Sequence, residues 1–422
     1  MKNTALRLYG KEDLRLETFD LPAISPDELL VKVVVDSLCM SSYKAAQQGA
    51  AHKRVPDNVA ENPVIIGHEF CGDIIEAGAN LKGRFKAGDK FAIQPAMKGT
   101  YSAAGYSFPY AGGCTRYAVI PKCYTDQDCV LAYSGDDYFS GSLAEPLSCV
   151  IGAAHANYHT VQGEYTHKME IVRGGKMALL AGAGPMGLAM IDYILHRELA
   201  AEHKPSLLVV TDIDEARLQR AAKTLPPEEA AKNGVKLVYL NTGKESDPAG
   251  ALMALSGGTG YDDVFVFAPA VPVVEQGGAV LGYDGCLNFS AGPSDTGFSA
   301  VFNFYNVHYN ATHIVGTSGG NTDDMREALG MSAKGLLNPA ILVTHIGGLD
   351  AAGEATLNLP HLPGGKKLIY PHITMPLTAV AQFAEKGKAD PFFQGLAQIC
   401  DAHGGLWSAE AEKYLLEKKA EV

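Results

Sequence analysis

The sequence predicts an α/β protein in which a doubly wound parallel sheet is inserted into a barrel-like β domain. Three observations support this prediction. Before about residue 150, short apolar runs are punctuated by Gly and Pro; from about residue 170 to 335, apolar runs alternate with helical patterns; after that, strand patterns return. Short strands with frequent turns are typical of barrels, whereas strand and helix in alternation are typical of parallel sheets.

The predicted domain boundaries follow these changes of pattern. Residues 1–160 contain the strand-like run ELLVKVVVDSL and shorter runs such as AGDKFAIQP and RYAVIP. Residues 161–335 contain KMALLAGAG, PMGLAMIDYILHREL, LLVVTDID and EARLQRAAKTL, which alternate between strand and helix patterns. Residues 336–422 return to strand patterns (AILVTHIGGL, KKLIYPHI) and end in helical ones, including AEAEKYLLEKKA. A chain of 422 residues is too long for one ordinary core, which favours two domains.

Composition and charge exclude several classes of partner. The formal net charge is -12, whereas nucleic acids and anionic membranes bind clustered Lys and Arg, so neither partner is expected. The N-terminus MKNTALRLYG lacks the apolar core of a signal peptide, and no run reaches the ~18 apolar residues of a membrane helix. The eight cysteines are scattered, which favours free thiols, apart from one candidate metal ligand, in a reducing cytoplasm.

A glycine-rich turn predicts a dinucleotide site. Gly182, Gly184 and Gly187 belong to GAGPMG, which also contains Pro185 and Met186 and joins the predicted strand KMALLA to a predicted helix. Glycines there allow a tight turn, close approach of the backbone to a pyrophosphate, and close packing of helix on strand. The helix N-terminus offers free N–H groups to the phosphates. A purely structural turn is the alternative, but the following βαβ pattern favours a nucleotide site.

Asp212 bears on the choice of nucleotide. It ends the next predicted strand, LLVVTD. A carboxylate there accepts hydrogen bonds from the ribose hydroxyls and repels a 2′-phosphate, which favours NAD over NADP. The alternative role of Asp212 is to cap the following helix, which Asp214 could do instead. Arg217 on that helix could contact a 2′-phosphate, so NADP(H) also remains open.

Cys39, His68 and two carboxylates are candidate metal ligands. Cys39 follows the strand VKVVVDSL, His68 and Glu69 follow NPVII, and Glu145 lies in SLAEPLS. One Cys, one His and one carboxylate can hold a catalytic zinc ion while leaving a position open. Zinc so placed polarises a carbonyl and lowers the pKa of an alcohol. Taken singly, each residue has a structural alternative: a small core cysteine, or a structural or exposed His or Glu.

The motifs together resemble the zinc-containing medium-chain dehydrogenase/reductase superfamily. The matching segments are, in family order, DSLCMSS, GHEF, AGDKF, AEPLSC, GAGPMG with its downstream Asp, and THIGGLD. The resemblance implies a Rossmann dinucleotide-binding domain inserted into a GroES-like β-barrel catalytic domain, and a homodimer or homotetramer. It implies zinc ligation by Cys39 and His68, with Glu69 and Glu145 at the carboxylate positions of the polyol-dehydrogenase branch. It also implies that Ser41 relays the alcohol proton; a turn serine is the alternative.

The chain departs from this superfamily in two places. Many relatives carry four clustered cysteines that bind a structural zinc, whereas the stretch AIQPAMKGTYSAAGYSFPYAGGCTR contains only Cys114. One cysteine cannot complete such a site, so we expect one catalytic zinc per chain and no structural zinc. Ser42, Tyr43 and Lys44 replace the usual Asp and His after the relay serine. The onward proton route is therefore open, with Lys44 as a terminal relay, an anion contact or a solvated surface lysine.

The substrate prediction depends on a narrower resemblance. The C-terminal tail and the segments CMSSYKAAQQGAAHKRVP and LPGGKKLIYP are similar to a bacterial branch of L-sorbose 1-phosphate reductases, which interconvert a ketose 1-phosphate and a hexitol phosphate. A phosphate requires Arg or Lys. Each basic residue could instead be an exposed solubilising charge. The candidates are Lys44, Lys53, Arg54, Arg116, Lys366 and Lys367.

The sequence therefore predicts a zinc-dependent NAD(H) oxidoreductase that interconverts a secondary alcohol and a ketone of a polyol or sugar. L-sorbose 1-phosphate and D-glucitol 6-phosphate are one candidate pair. The first alternative is a dehydrogenase of an unphosphorylated polyol or another secondary alcohol such as threonine. The second is a non-catalytic nucleotide-binding protein, which is disfavoured because no zinc-ligand position is lost.

Overall fold

The chain forms two units, each of which has its own core. The structure, a computed structural model, describes residues 1–419, so the last three residues of the predicted segment 336–422 lie outside the described part. A terminal unit comprises Met1–Glu145 and the chain from Pro339 onward, and a central unit comprises Pro146–Asn338. The sequence places the first boundary at residue 160. In the structure the boundary between the two units falls earlier, between Glu145 and Pro146. This point lies within one continuous helix, Phe139–Ala156, so no turn in the sequence marks it.

The first part of the terminal unit is mostly β, as its short apolar runs predict. The β1–β2 hairpin is not among the strands that the sequence predicts. The strands and helices are β1 (Lys2–Gly10), β2 (Asp13–Asp20), β3 (Leu29–Leu38), β4 (Val64–Ile65), β5 (Phe70–Ala77), β6 (Lys90–Ile93), β7 (Tyr117–Ile120), β8 (Val130–Ala132), α1 (Met40–Gln48), α2 (Lys122–Asp126) and α3 (Phe139–Ala156), which continues into the central unit.

The central unit is a doubly wound parallel sheet, as the alternating patterns predict. The elements are β9 (Tyr158–Thr160), β10 (His167–Met169), β11 (Lys176–Leu180), β12 (Leu207–Asp212), β13 (Lys236–Asn241), β14 (Tyr261–Val266), β15 (Leu281–Phe289), β16 (His313–Gly316), α4 (Pro185–His196), α5 (Glu215–Thr224), α6 (Pro227–Lys232), α7 (Pro248–Leu255), α8 (Val271–Ala279), α9 (Phe304–Asn310) and α10 (Thr322–Ala333).

The strand order of the central sheet locates its ligand edge. The six parallel strands follow the order β13-β12-β11-β14-β15-β16. The chain starts in the middle at β11, moves outward to β13, and then crosses to β14, so the order reverses between β11 and β14. In such sheets ligands bind outside the carboxyl ends of the strands at this reversal. The glycine-rich turn follows β11 directly and therefore lies at that edge.

The chain returns to the terminal unit and completes its sheet. The returning elements are β17 (Val343–Gly348), β18 (Lys366–Tyr370), β19 (Thr378–Ala379), α11 (Ala352–Leu357), α12 (Phe383–Lys386), α13 (Pro391–Ala402) and α14 (Ala409–Lys419). The eight-stranded sheet runs β19-β17-β18-β3-β5-β6-β8, with β7 also paired to β3. The predicted last helix corresponds to α14, and its final Ala420 lies outside the described residues. Among the described helices, none has both the length and the apolar character needed to cross a membrane.

The C-terminal extension provides a cap for helix α3. Glu412 on α14 is buried and accepts hydrogen bonds from the backbone N–H groups of Tyr138 (2.5 Å) and Phe139 (2.9 Å). It also accepts one from the hydroxyl of Tyr370 (2.7 Å). Since the first N–H groups of a helix have no partner within the helix, this carboxylate satisfies donors that would otherwise be buried and unpaired. Burial raises the pKa of Glu412 to about 8.

We expect Glu412→Ala to destabilise the terminal unit. The substitution leaves two backbone donors and one hydroxyl without their acceptor, and each unsatisfied buried group costs about 1–3 kcal/mol. Glu412→Gln is the matched control, because it keeps an acceptor oxygen and should lose less. Thermal unfolding followed by calorimetry measures both. An alanine variant that unfolds at the wild-type temperature would show that the cap does not contribute to stability.

The same carboxyl predicts a pH dependence. Its folded-state pKa of about 8 is raised above the ordinary value of a glutamate, so its contribution to stability is present at low pH and is lost as pH rises through about 8. Comparing the unfolding temperatures of wild type and Glu412→Gln between pH 5 and pH 9 isolates this contribution. The wild-type temperature should fall more steeply with pH; parallel curves would assign the pH dependence to other groups.

Candidate functional site

Cys39 lies where strand β3 passes into helix α1. The strand ends at Leu38, the helix begins at Met40, and Cys39 is the N-cap residue. Its backbone oxygen accepts a hydrogen bond from the N–H of Ser42 (3.0 Å), which closes the first turn. The hydroxyl of Ser41 donates to the sulfur of Cys39 at 3.0 Å. The end of the strand therefore presents a thiol and a hydroxyl side by side.

His68 lies in the turn between β4 and β5. Gly67 has a φ of +90°, and a Cβ at this residue would lie 2.4 Å from a carboxylate oxygen of Asp36, so the turn requires glycine. Asp36 is buried and accepts a hydrogen bond from the N–H of Glu69 at 3.1 Å. The Nδ1 of His68 lies 3.1 Å from the hydroxyl of Ser42. This contact fixes the ring and leaves Nε2 as the nitrogen that can bind a metal.

Three neighbouring strands hold the carboxylate of Glu69. Strand β3 pairs antiparallel with both β5 and β18, which places Lys366 and Ser37 beside Glu69. The Nζ of Lys366 lies 2.5 and 2.6 Å from the two carboxylate oxygens, and the hydroxyl of Ser37 donates to one of them. Burial alone would lower the pKa of Lys366, but the charge of Glu69 raises it, so the buried lysine remains protonated.

Cys39, His68 and Glu69 form a compact set of donor atoms. One sulfur, one nitrogen and one oxygen from these residues lie within 4.8 Å of one another. Glu145, on helix α3, is close enough to influence the pKa values of Cys39 and Lys366. Desolvation, together with the charge of Glu69, raises the pKa of Cys39 to about 12. Two carboxylates beside one lysine leave excess negative charge, and a bound cation would favour the thiolate of Cys39, so this donor set suits a divalent cation.

A tyrosine that the sequence does not single out completes the site. The hydroxyl of Tyr106 donates to Ser41 Oγ at 2.8 Å and lies 3.2 Å from His68 Nε2. Its position depends on Gly105, whose φ is +80° and where a Cβ would lie 2.2 Å from the backbone oxygen of Gly67. Burial raises the pKa of Tyr106 well above its ordinary value. The sequence feature that could have pointed to Tyr106 is the pair Gly105-Tyr106, which lies in the segment that contains only Cys114.

A second histidine and carboxylate group, in the central unit, is structural. His159, Asp284 and His313 also have candidate ligand atoms within 4.8 Å of one another. However, Nδ1 of His159 lies 3.0 Å from the backbone oxygen of Asp284, and its Nε2 lies 3.1 Å from the carboxylate of Asp263. Nε2 of His313 lies 2.5 Å from the backbone oxygen of Tyr158. Ring nitrogens that face backbone oxygens are N–H donors, which cannot ligate a metal.

Three of the six candidate phosphate-binding residues are engaged elsewhere. Lys366 is paired with Glu69. Lys367 is buried and donates to the backbone oxygens of Pro363 (2.8 Å) and Gly365 (2.6 Å). Arg116 lies in a different part of the unit, at strand β7.

The other three candidates lie together. The charges of Arg54, Lys53 and Lys44 all act on His52, and desolvation followed by these charges lowers the pKa of His52 to about 4.

The glycine-rich turn has the geometry that a pyrophosphate site requires. A Cβ on Gly187 would lie 1.9 Å from the backbone oxygen of Gly182, so helix α4 packs directly on the turn. A Cβ on Gly184 would meet no protein atom within 4 Å, which leaves open space at the start of the helix. Pro185 is the first helical residue and Met186 follows it. The N-terminus of α4, where the positive end of the helix dipole lies, therefore adjoins open space.

Asp212 and Asp214 have different structural roles. Asp214 caps helix α5, because one carboxylate oxygen accepts hydrogen bonds from the N–H groups of Ala216 (2.9 Å) and Arg217 (3.2 Å). Asp212, at the end of β12, is buried and accepts hydrogen bonds from the N–H groups of Ile213 and Asp214. The side chain of Arg217 is exposed, with its Nε 3.6 Å from the carboxylate of Asp214. Capping is thus performed by Asp214, and Asp212 is not needed for it.

Comparison with known families identifies the class of the protein. Residues 25–128 match the alcohol dehydrogenase GroES-like domain, and residues 201–334 match the zinc-binding dehydrogenase family. The chain belongs to the zinc-containing medium-chain dehydrogenase/reductase superfamily, and it is an oxidoreductase of the alcohol dehydrogenase type. The predicted superfamily and enzyme class are confirmed.

Two relatives are similar along almost their whole length. Mannitol-1-phosphate 5-dehydrogenase of Aliivibrio fischeri is 53% identical over 99% of this chain and 98% of the relative. L-sorbose 1-phosphate reductase of Klebsiella pneumoniae is 50% identical over 99% of this chain and 98% of the relative. The crystal structure of 2R,3R-butanediol dehydrogenase from Bacillus subtilis is similar with a TM-score of 0.70, at 20% identity, over 87% of this chain and 99% of that one. The predicted fold class is thereby confirmed.

A matched pair of glycine substitutions tests the turn. We expect Gly187→Ala to destabilise the central unit by about 2–4 kcal/mol, because the added carbon overlaps the backbone of Gly182. Gly184→Ala should keep the wild-type stability and weaken dinucleotide binding, because its carbon enters the open space. Urea unfolding and NADH fluorescence titration measure the two effects. Equal dinucleotide affinity in wild type and Gly184→Ala would place the pyrophosphate elsewhere.

Proposed function

We propose that the protein transfers a hydride between NAD(H) and a secondary-alcohol or ketone carbon of a six-carbon polyol or sugar phosphate. The observation that carries this proposal is that Cys39 and His68 lie with carboxylates and the hydroxyl of Ser41 beside them. Glu69 belongs to the same compact set of donor atoms, and Glu145 is close enough for its charge to act on Cys39. The substrate class is supported by the two relatives, whose names specify mannitol 1-phosphate and L-sorbose 1-phosphate. Both are phosphorylated six-carbon compounds.

Cys39 and His68 are the two fixed ligands of the proposed zinc site. When bound there, zinc supplies Lewis-acid polarisation of a carbonyl and lowers the pKa of an alcohol. The carboxylate of Glu69 is held by Lys366, and breaking a buried ion pair costs about 3–5 kcal/mol. We therefore favour Glu145 as the third ligand. The Glu69–Lys366 pair then keeps the strands next to the zinc ligands in place.

Ser41 is the group that takes the alcohol proton in the oxidation direction. A hydroxyl relays a proton by accepting one and passing its own to a neighbour. The sequence left the next group open, with Lys44 as one candidate. Tyr106 orients the serine, because its hydroxyl donates to Ser41 Oγ at 2.8 Å. Burial raises the pKa of Tyr106 well above its ordinary value, so it keeps its own proton, and Lys44 stays the candidate for the onward step.

NAD(H) supplies hydride exchange at its nicotinamide ring. The turn from Gly182 to Gly187 and the N-terminus of α4 would bind its pyrophosphate. Asp212 would accept hydrogen bonds from the ribose, and its carboxylate is fixed by two backbone N–H groups. A 2′-phosphate would meet this held negative charge, which supports NAD over NADP. Arg217 is oriented towards Asp214, and this position does not favour a role at a 2′-phosphate.

The family resemblance and the charge pattern support two further parts of the proposal. We infer that the enzyme is cytoplasmic and that it forms a homodimer or a homotetramer. Its partners are the dinucleotide and a small polyol or sugar phosphate. An unphosphorylated polyol, or another secondary alcohol such as threonine, is the alternative substrate.

A panel of substrates tests the proposed reaction. All assays contain zinc. We measure NADH oxidation with L-sorbose 1-phosphate, and NAD reduction with D-mannitol 1-phosphate and with D-glucitol 6-phosphate. The unphosphorylated compounds and threonine are measured in the same way for comparison. We expect kcat/KM to be at least about tenfold higher for one phosphorylated compound than for its free form, since charge-assisted contacts to a phosphate are worth about 1.5–3 kcal/mol. A preference for threonine or a free polyol would exclude the proposed substrate class, and a clear NADPH advantage would exclude the role of Asp212.

Two carboxamide variants distinguish the carboxylates. Glu145→Gln should lose bound zinc and unfold at the same temperature as zinc-free wild type, because only the stabilisation by the metal is lost. Glu69→Gln should keep zinc but unfold at lower temperature, because Lys366 loses its buried partner at a cost of about 3–5 kcal/mol. Metal content by plasma mass spectrometry and thermal unfolding by circular dichroism are measured on both proteins, with Cys39→Ser as the zinc-free control. If Glu69→Gln loses zinc and Glu145→Gln retains it, the two roles are exchanged.

A further inference from the structure

Three cationic side chains lie around one histidine in the terminal unit. Lys44, Lys53 and Arg54 are close enough to His52 that all three charges act on it. The guanidinium of Arg54 donates one N–H to the backbone oxygen of Tyr101 (3.3 Å). Since a guanidinium carries five N–H donors in a planar fork, further donors can contact an anion. We call these four side chains the basic cluster.

The ring of Tyr106 joins the basic cluster to the proposed zinc site. The ring of His52 stacks on Tyr106, with centroids 5.7 Å apart and planes 9° apart. The guanidinium carbon of Arg54 lies 5.5 Å from the centroid of the same ring. The hydroxyl at the far end of Tyr106 contacts Ser41 and His68. One tyrosine therefore separates the cationic side chains from the proposed zinc and proton-relay residues.

The protonation state of His52 affects which ligand the basic cluster can bind. Desolvation and the three neighbouring cations hold the pKa of His52 near 4, so its ring is neutral at physiological pH. A neutral imidazole beside three cations can donate or accept one hydrogen bond without adding to their mutual repulsion. An anion placed among them relieves that repulsion. A phosphate monoester suits the position because it carries almost two negative charges and three acceptor oxygens.

We propose that Lys44, Lys53 and Arg54 form the subsite that binds the phosphate group of the substrate, with Tyr106 between this subsite and the reacting carbon. This inference rests on the proposed function, because it assumes a phosphorylated substrate. It takes three of the six basic candidates and leaves out Arg116, Lys366 and Lys367. Lys366 and Lys367 are buried and bind neighbouring parts of the protein, whereas Lys53 is exposed and Lys44 and Arg54 are partly exposed.

The two relatives suggest two positions for the phosphate relative to the reacting carbon. A 2-ketose 1-phosphate, such as L-sorbose 1-phosphate, carries it on the adjacent carbon. A mannitol 1-phosphate oxidised at carbon 5 carries it four carbons away. Lys44 is close enough for the charge of Cys39 to act on it, and Arg54 lies against the ring of Tyr106, so the three cations do not all have the same relation to the metal ligands. Comparing the two substrates therefore tests which position of the phosphate the subsite accepts.

Charge-removing variants test the subsite. Arg54→Gln and Lys53→Gln are compared with Lys82→Gln, which removes an exposed lysine elsewhere in the same unit. The readout is the ratio of kcat/KM for a phosphorylated substrate to kcat/KM for its free form, measured with D-mannitol 1-phosphate against D-mannitol and L-sorbose 1-phosphate against L-sorbose. We expect Arg54→Gln to lower this ratio about 10- to 100-fold, mainly through KM. Lys82→Gln should leave it unchanged.

Inhibition by inorganic phosphate gives a second readout. Phosphate should compete with the phosphorylated substrate in wild type, and its inhibition constant should rise at least about tenfold in Arg54→Gln. Thermal unfolding establishes that each variant is folded. If wild type prefers phosphorylated substrates and both variants keep that preference, the subsite lies elsewhere although the proposed function stands. If wild type shows no preference for a phosphorylated compound, the proposed substrate class itself is wrong.

Discussion

The buried ion pair between Glu69 and Lys366 is the constraint on which the arrangement of the site depends. The two residues are 297 positions apart in the chain, and they meet because β5 and β18 flank β3. Either charge alone in this place would cost several kcal/mol, so the pair favours one register of the three strands. The same register places Cys39 at the end of β3 beside His68. The donor set therefore comes from the first part of the chain, and the lysine that holds one of its carboxylates comes from the last part.

Local patterns in the sequence predicted the parts of the molecule that depend on local geometry. The turn from Gly182 to Gly187 could be predicted because its three glycines follow a strand and open a helix. The parallel sheet followed from strand and helix alternation. The sequence left two roles open for Asp212 and Asp214, and the structure assigns the cap to Asp214 through its bonds to backbone N–H groups. The helix that contains Glu145 was not predicted. The sequence placed the domain boundary at residue 160, beyond the end of this helix at Ala156.

Contacts between distant parts of the chain left no comparable signal. Tyr106 reaches Ser41 across 65 positions and has no fixed spacing to the other site residues. Lys366 was a phosphate candidate on charge alone, yet its partner Glu69 is contributed by another strand. Lys53 and Arg54 follow His52 directly in the sequence, whereas the stacking of His52 on Tyr106 could be seen only in the fold. Periodicity reports the face on which a residue lies, but it does not report which distant residue packs against that face.

Glu412 and Asp137 divide the start of helix α3 between them. Asp137, which lies just before the helix, accepts a hydrogen bond from the N–H of Ser140, whereas Glu412 accepts those of Tyr138 and Phe139. The local residue therefore supplies part of the cap, and the rest comes from α14, 274 positions further along the chain. Through this one carboxyl group, completion of the first turn of α3 depends on the docking of a helix that is distant in the sequence.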